Sequence, residues 1–113
     1  MTKRNHYIVN ETLQMTMLFD FFGDLLTERQ REYFDLYHNE DLSLSEIAES
    51  TGISKQGVYD IITRAEKTLM EIEQKTGIIK KWRETRKGLE SAVANGASVP
   101  PIVLSYFQLE KES

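Results

Sequence analysis

The chain contains no cysteine, only two prolines in 113 residues, and six glycines that never adjoin one another. Without cysteine there can be no disulfide staple, no thiolate zinc site and no thiol nucleophile. No stretch approaches the ~18 apolar residues that a membrane-crossing helix needs. The opening MTKRNHYIVN has no apolar core of a secretion signal. These absences predict a cytoplasmic protein that makes no membrane contact. The scattered glycines form neither G-x-x-x-x-G-K-[ST] nor G-x-G-x-x-G, so no phosphate cradle or nucleotide cofactor is expected. His6 and His38 stand alone and are expected to be solvated imidazoles. Glu71 and Glu73 have no histidine nearby and make no metal site. With no catalytic constellation, no metal and no cofactor motif, the chain is not expected to be an enzyme.

An excess of positive charge is also missing. The net charge is −4, and residues 1–42 hold eight carboxylates against four basic side chains. Residues 43–70 come to −1, residues 71–90 to +2, and residues 91–113 to −1. Nucleic-acid-binding domains are usually basic.

What is present is helical periodicity and the signals that start and stop helices. The centre of the chain is LSEIAESTGISKQGVYDIIT, residues 44–63. Ala48, Gly52, Val58 and Ile61 fall at the spacings of a helix-turn-helix. Ala48 is small where two helices cross, and Gly52 permits the positive φ of the turn. Ile47, Ile53, Val58 and Ile61 seat both helices on one core. Ser43 with Glu46 forms a capping box for the first helix, and Ser54 can cap the second.

Around this centre the chain divides into further helices. From Thr12, Leu18, Phe21, Phe22 and Leu25 recur at helical spacing, and Leu13, Met15 and Met17 broaden the apolar face. Thr27 and Gln30 form another capping box, opening a helix with Tyr33, Leu36 and Tyr37 in its core and Phe34 beside them. Residues 38–41 read as a polar loop. Past the motif, Val58, Ile62, Ala65, Leu69 and Ile72 make a heptad-like seam as far as Lys75. Gly77 interrupts it, and a second seam through Ile78, Trp82, Thr85, Leu89 and Ala92 runs one residue out of phase. Asn95-Gly96 ends that helix, and Pro101 opens a last one. Ile102, Val103, Tyr106, Phe107 and Leu109 give it an apolar side to pack on the body or on a second chain. Six helices and no strand pattern make the fold all-α.

At this level the chain resembles a known family. LLTERQREYFDLYHNEDLSLSEIAESTGISKQGVYDIITRAEKTL looks like the promoter-reading region 4 of bacterial sigma factors. It is closer still to the small stand-alone YlxM-type helix-turn-helix proteins. The likeness is strongest over Leu13 to Lys75. It implies a sigma-region-4-like four-helix unit, residues 1–75, and a C-terminal helical extension, residues 76–113. It also implies a regulatory protein linked to the signal recognition particle (SRP), beside whose genes such proteins are typically encoded.

In the DNA-binding form of the motif the second helix enters the major groove. The matching outward residues are Ser54, Lys55, Gln56, Tyr59, Asp60, Thr63 and Arg64. Lys55, Arg64 and the helix start at Ser54 would hold phosphates, while Gln56 and Tyr59 would meet bases. Asp60 would repel phosphate. A second basic patch is offered by Lys80, Arg83, Arg86 and Lys87, over a buried Trp82. The expected partner is nucleic acid, DNA ahead of RNA, contacted by a homodimer. The alternative is a protein-binding accessory of the SRP GTPase or its RNA.

Overall fold

A computed structural model describes residues 9–109, with side chains from Gln14 onward. The N-terminal tail with His6 lies outside them. Six helices run through the described residues, with no strand among them. They are α1 (Val9–Phe22), α2 (Glu28–Phe34), α3 (Leu44–Thr51), α4 (Lys55–Thr76), α5 (Ile78–Ala94) and α6 (Pro101–Tyr106). The fold is all-α, as the periodicity predicts.

The chain divides after Thr76 into two compact units. In the first, α1 begins at Val9, three residues before the expected Thr12, and buries Met15, Leu18 and Phe22. Leu25 does not join that stripe. The helix gives way to a single 3-10 turn, Gly23–Leu25, whose shorter period passes the buried position to Leu26. Leu25 is left 67% exposed. Gly23 is buried at this change of period, where a Cβ would come 3.1 Å from the Phe19 ring.

Both halves of the Thr27–Gln30 capping box form, each bond at 3.1 Å. They satisfy donors that every helix start leaves without a partner. Phe34, expected only beside the core, is at its centre. It is fully buried, and Phe19 of α1 stacks on it at 4.9 Å with an interplanar angle of 4°.

The helix does not stop at His38. It widens into a π-turn over Asp35–Asn39, closed by the Glu40 amide donating to the Asp35 carbonyl at 2.9 Å. Asp41 then takes a left-handed φ of 62°, and the Leu42 amide returns to the Leu36 carbonyl at 3.0 Å. The expected polar loop is therefore confined to the residues after Asn39.

The Ser43–Glu46 capping box opens α3 with bonds of 3.0 and 2.8 Å. Gly52 closes it at φ 78°, its amide donating to the Ala48 carbonyl at 3.0 Å. Tyr33, Ile47, Val58 and Ile62 form the core under the turn, ringed by Leu36, Tyr37, Leu42, Leu44, Ala48, Ile53 and Ile61. Farther along α4 the expected seam is buried at Val58, Ile62, Ala65 and Leu69.

In the second unit, Gly77 stands at φ 64° ahead of α5. Here the expected seam holds at the half-buried Trp82, Leu89 and Ala92 and is displaced by one residue at Ile78 and Thr85. Ile79 is buried while Ile78 and Thr85 are exposed. The inward side of α5 carries Trp82 and Arg86, both turned to the chain end of α6. Trp82 stacks on Phe107 at 5.8 Å, and the Arg86 Nε donates to the Phe107 carbonyl at 2.8 Å. Gly96, at φ 93°, ends α5 in a Schellman motif. Its paired bonds run from Ala97 to Ala92 at 2.9 Å and from Gly96 to Val93 at 3.0 Å.

Candidate nucleic-acid interface

The candidate surface begins where α3 hands over to α4. Thr51 donates its hydroxyl to the Ile47 carbonyl at 2.7 Å and accepts the Ile53 amide at 3.4 Å. Ser54 accepts the Gly57 amide at 3.0 Å, capping α4. The chain therefore reverses direction with its backbone groups engaged, and α4 starts in a defined orientation.

Gly57 has a specific reason to be glycine although it sits inside a helix. A Cβ there would lie 2.8 Å from the Ile53 Cγ2 and 3.1 Å from the Ser54 hydroxyl. The core residue that seats the turn therefore approaches the helix backbone too closely to admit a side chain.

Lys55, Gln56, Tyr59, Asp60 and Arg64 are exposed, while Val58, Ile62 and Ala65 of the same helix are buried. Periodicity thus puts the core residues on one side and the candidate contacts around the rest. Tyr59 is 49% exposed. Ser54 is also exposed, and its hydroxyl accepts from the backbone while its hydrogen remains available to an outside acceptor. Thr63 differs from these residues. It is half-buried, and its hydroxyl is shared between the Tyr59 carbonyl at 2.9 Å and the Asp60 carbonyl at 3.2 Å.

Asp60 is tied into the face rather than isolated on it. The Gln56 Nε2 donates to its Oδ1 at 2.9 Å, one helical turn away. This bond holds the Gln56 amide in place and leaves its carbonyl and second N–H for another partner. Those are the groups a bidentate adenine contact requires.

Behind the face sits an interaction that residue-by-residue reading missed. His38 is not solvated. Its side chain is 6% exposed, packed on Phe34 at 4.3 Å, with Tyr37 edge-on at 5.0 Å. Its Nε2 meets Glu66 Oε2 of α4 at 2.6 Å, and its Nδ1 is buried without a hydrogen-bond partner. The bond ties the π-turn to the helix that carries the candidate contacts. A signal for it was present: His38 lies four residues after Phe34, on the same side of any helix that continues past residue 37.

Of the second basic group, Lys80, Arg83 and Lys87 are exposed on α5. Arg86 is half-buried and committed. Besides Phe107 it reaches the Gln108 carbonyl at 3.3 Å and Glu90 at 3.1 Å, capping the end of α6. Among the described residues no three metal-ligating side chains come together, and no helix is long and apolar enough to cross a membrane.

Charge separates the two units. Residues 1–76 hold fourteen carboxylates against eight Lys and Arg, a difference of −6. Residues 77–113 hold four against six, a difference of +2. Glu28, Glu32 and Asp35 line an open groove of the first unit together with Phe19 and Arg31.

Comparison with known proteins agrees with this architecture. The family model described as "Putative helix-turn-helix protein, YlxM / p13 like" matches residues 9–99. The UPF0122 protein TTE1463 of Caldanaerobacter subterraneus is 49% identical over 81 residues, covering 72% of this chain and 69% of the relative. The UPF0122 protein ABC2295 of Shouchella clausii is 49% identical over 82 residues, covering 73% and 74%. A UPF0122 protein of Clostridium kluyveri is 45% identical over 84 residues, covering 72% and 76%. On a match that spans the helix-turn-helix and the whole of α5, the chain belongs to the UPF0122 family of YlxM / p13-like helix-turn-helix proteins.

Proposed function

We propose that the protein is a DNA-binding regulator that reads duplex DNA with the first turns of α4. One observation carries this reading: Gln56 and Tyr59 are exposed on a helix whose start is capped and whose opposite side is buried. A side chain that serves no packing role but is held in position suits contact with a base edge. Lys55, Arg64 and the backbone amides beside Ser54 take the phosphates. Thr63 supports the helix rather than the DNA, since its hydroxyl is spent on the backbone. The reading takes the protein as a homodimer, so that two copies of α4 address half-sites about one DNA turn apart. Ile102 and Tyr106, 79% and 68% exposed on α6, support a second chain.

The test is selection from a random duplex pool. Wild type should enrich a sequence, Gln56→Ala should enrich a more degenerate one, and Arg64→Ala should weaken all sequences alike. Equal enrichment by all three proteins would sink the assignment. A second reading is favoured by the carboxylate load of the first unit, which repels phosphate. In it the same face contacts the SRP GTPase or its RNA, and the protein acts in that pathway without reading DNA. SRP components recovered from extract after nuclease treatment, and lost with Tyr59→Ala, would support it.

A further inference from the structure

Phosphate contacts supply nearly all of the non-specific and much of the specific affinity of a DNA-binding protein. The unit that carries the α4 face has a charge difference of −6, and that face itself adds only Lys55 and Arg64 against Asp60. Lys and Arg outnumber carboxylates only in the second unit.

There the positive charge is sorted by side. Trp82 and Arg86 are turned to α6, leaving Lys80, Arg83 and Lys87 at i, i+3 and i+7 along the outward side of α5. Of the two carboxylates of α5, Glu90 is bound to Arg86, and Glu84 lies beside the stripe. From Lys80 to Lys87 the helix rises about 10.5 Å. That corresponds to three steps of about 3.4 Å along the axis of a duplex.

We infer that Lys80, Arg83 and Lys87 are a second nucleic-acid contact of this protein, one that grips the phosphates of the duplex without reading its bases. This inference rests on the proposed reading that the ligand is DNA. It divides the labour between the units: sequence preference resides in α4, and most of the salt-sensitive affinity resides in α5. Arg86 takes no part in the grip, because its guanidinium caps α6.

The experiment titrates a random-sequence DNA duplex against the full chain by fluorescence anisotropy, between about 50 and 200 mM salt. The proteins are wild type, K80Q/R83Q/K87Q, K55Q/R64Q and the charge-conserving K80R/R83K/K87R, each checked by circular dichroism and light scattering. Loss of three phosphate contacts should lower the salt slope by about 2.7. The rise in salt should then cost wild type about 40-fold more affinity than it costs K80Q/R83Q/K87Q. The charge-conserving variant should keep the wild-type slope, and the preference dependent on Gln56 should survive in both.

An unchanged slope in K80Q/R83Q/K87Q, with a lowered slope in K55Q/R64Q, overturns this inference and leaves the α4 reading standing. A fall in assembled mass without a change in slope makes the stripe a contact between copies and likewise overturns it. No salt-dependent binding by wild type to any duplex overturns both the inference and the reading beneath it.

Discussion

Two junctions in this chain use the same local device to different ends. Gly52 between α3 and α4 and Gly77 between α4 and α5 both adopt the left-handed conformation, at φ 78° and 64°. After Gly52 the next helix is capped by the Ser54 side chain, and Ile47 and Val58 on either side of the turn are fully buried. After Gly77 no side-chain cap forms, and Ile79 is the only described hydrophobic residue of the second unit in the buried core. A left-handed glycine lets a chain turn, but a turn becomes a rigid motif only when apolar residues on both arms meet beneath it. The first unit is therefore expected to stand on its core, and the second on a few polar and aromatic latches.

The largest effect that can sharpen this comparison is in the first core. Ile47→Ala should cost about 2–5 kcal/mol, since it removes a fully buried side chain from under the turn. Urea unfolding followed by circular dichroism measures it, and a cost below 1 kcal/mol would mean the turn is not held by that core.

Next comes the link between the π-turn and α4. Glu66→Ala leaves both nitrogens of a buried imidazole without a hydrogen-bond partner and should cost about 1–3 kcal/mol. A double-mutant cycle with His38→Ala isolates the pair, with an expected coupling of about 0.5–3 kcal/mol. Independent, additive losses would show that the 2.6 Å contact contributes nothing beyond packing.

Smallest in global stability, but most telling for the comparison, is Arg86→Ala. It removes the donors to the carbonyls of Phe107 and Gln108. Since the side chain is about a third exposed, the global cost should be near 1 kcal/mol. Hydrogen exchange should quicken across residues 101–109 and stay unchanged across α3 and the first turns of α4. Equal acceleration in both regions would break the distinction between the two units.

The legibility of the chain follows the same division. Both capping boxes, the glycine stops and the α4 seam were readable because each depends on residues within a few positions of one another. The outward residues of α4 were readable as well, since a helix with a recognisable buried side leaves only one other side. Leu25, Ile78 and His38 were misplaced for a single reason. Each lies where the helical period changes or restarts, at a 3-10 turn, a left-handed glycine or a π-turn. A pattern extrapolated at 3.6 residues per turn fails at such points. The close approach to Gly57 was invisible too, because it depends on where the Ile53 methyl comes to rest.

The sequence by itself determined the capped starts of α2, α3 and α4, the glycine stops and which family the chain resembles, because caps, turns and apolar spacing act between near neighbours. Only the tertiary structure decided that Phe34 is the centre of the first unit, because burial depends on which helices close around a ring. It also decided that His38 meets Glu66, 28 residues away, and that Arg86 is spent on a carbonyl 21 residues away. Those pairings arise when distant segments are brought together, and no local spacing encodes which charged groups will then lie within hydrogen-bond reach.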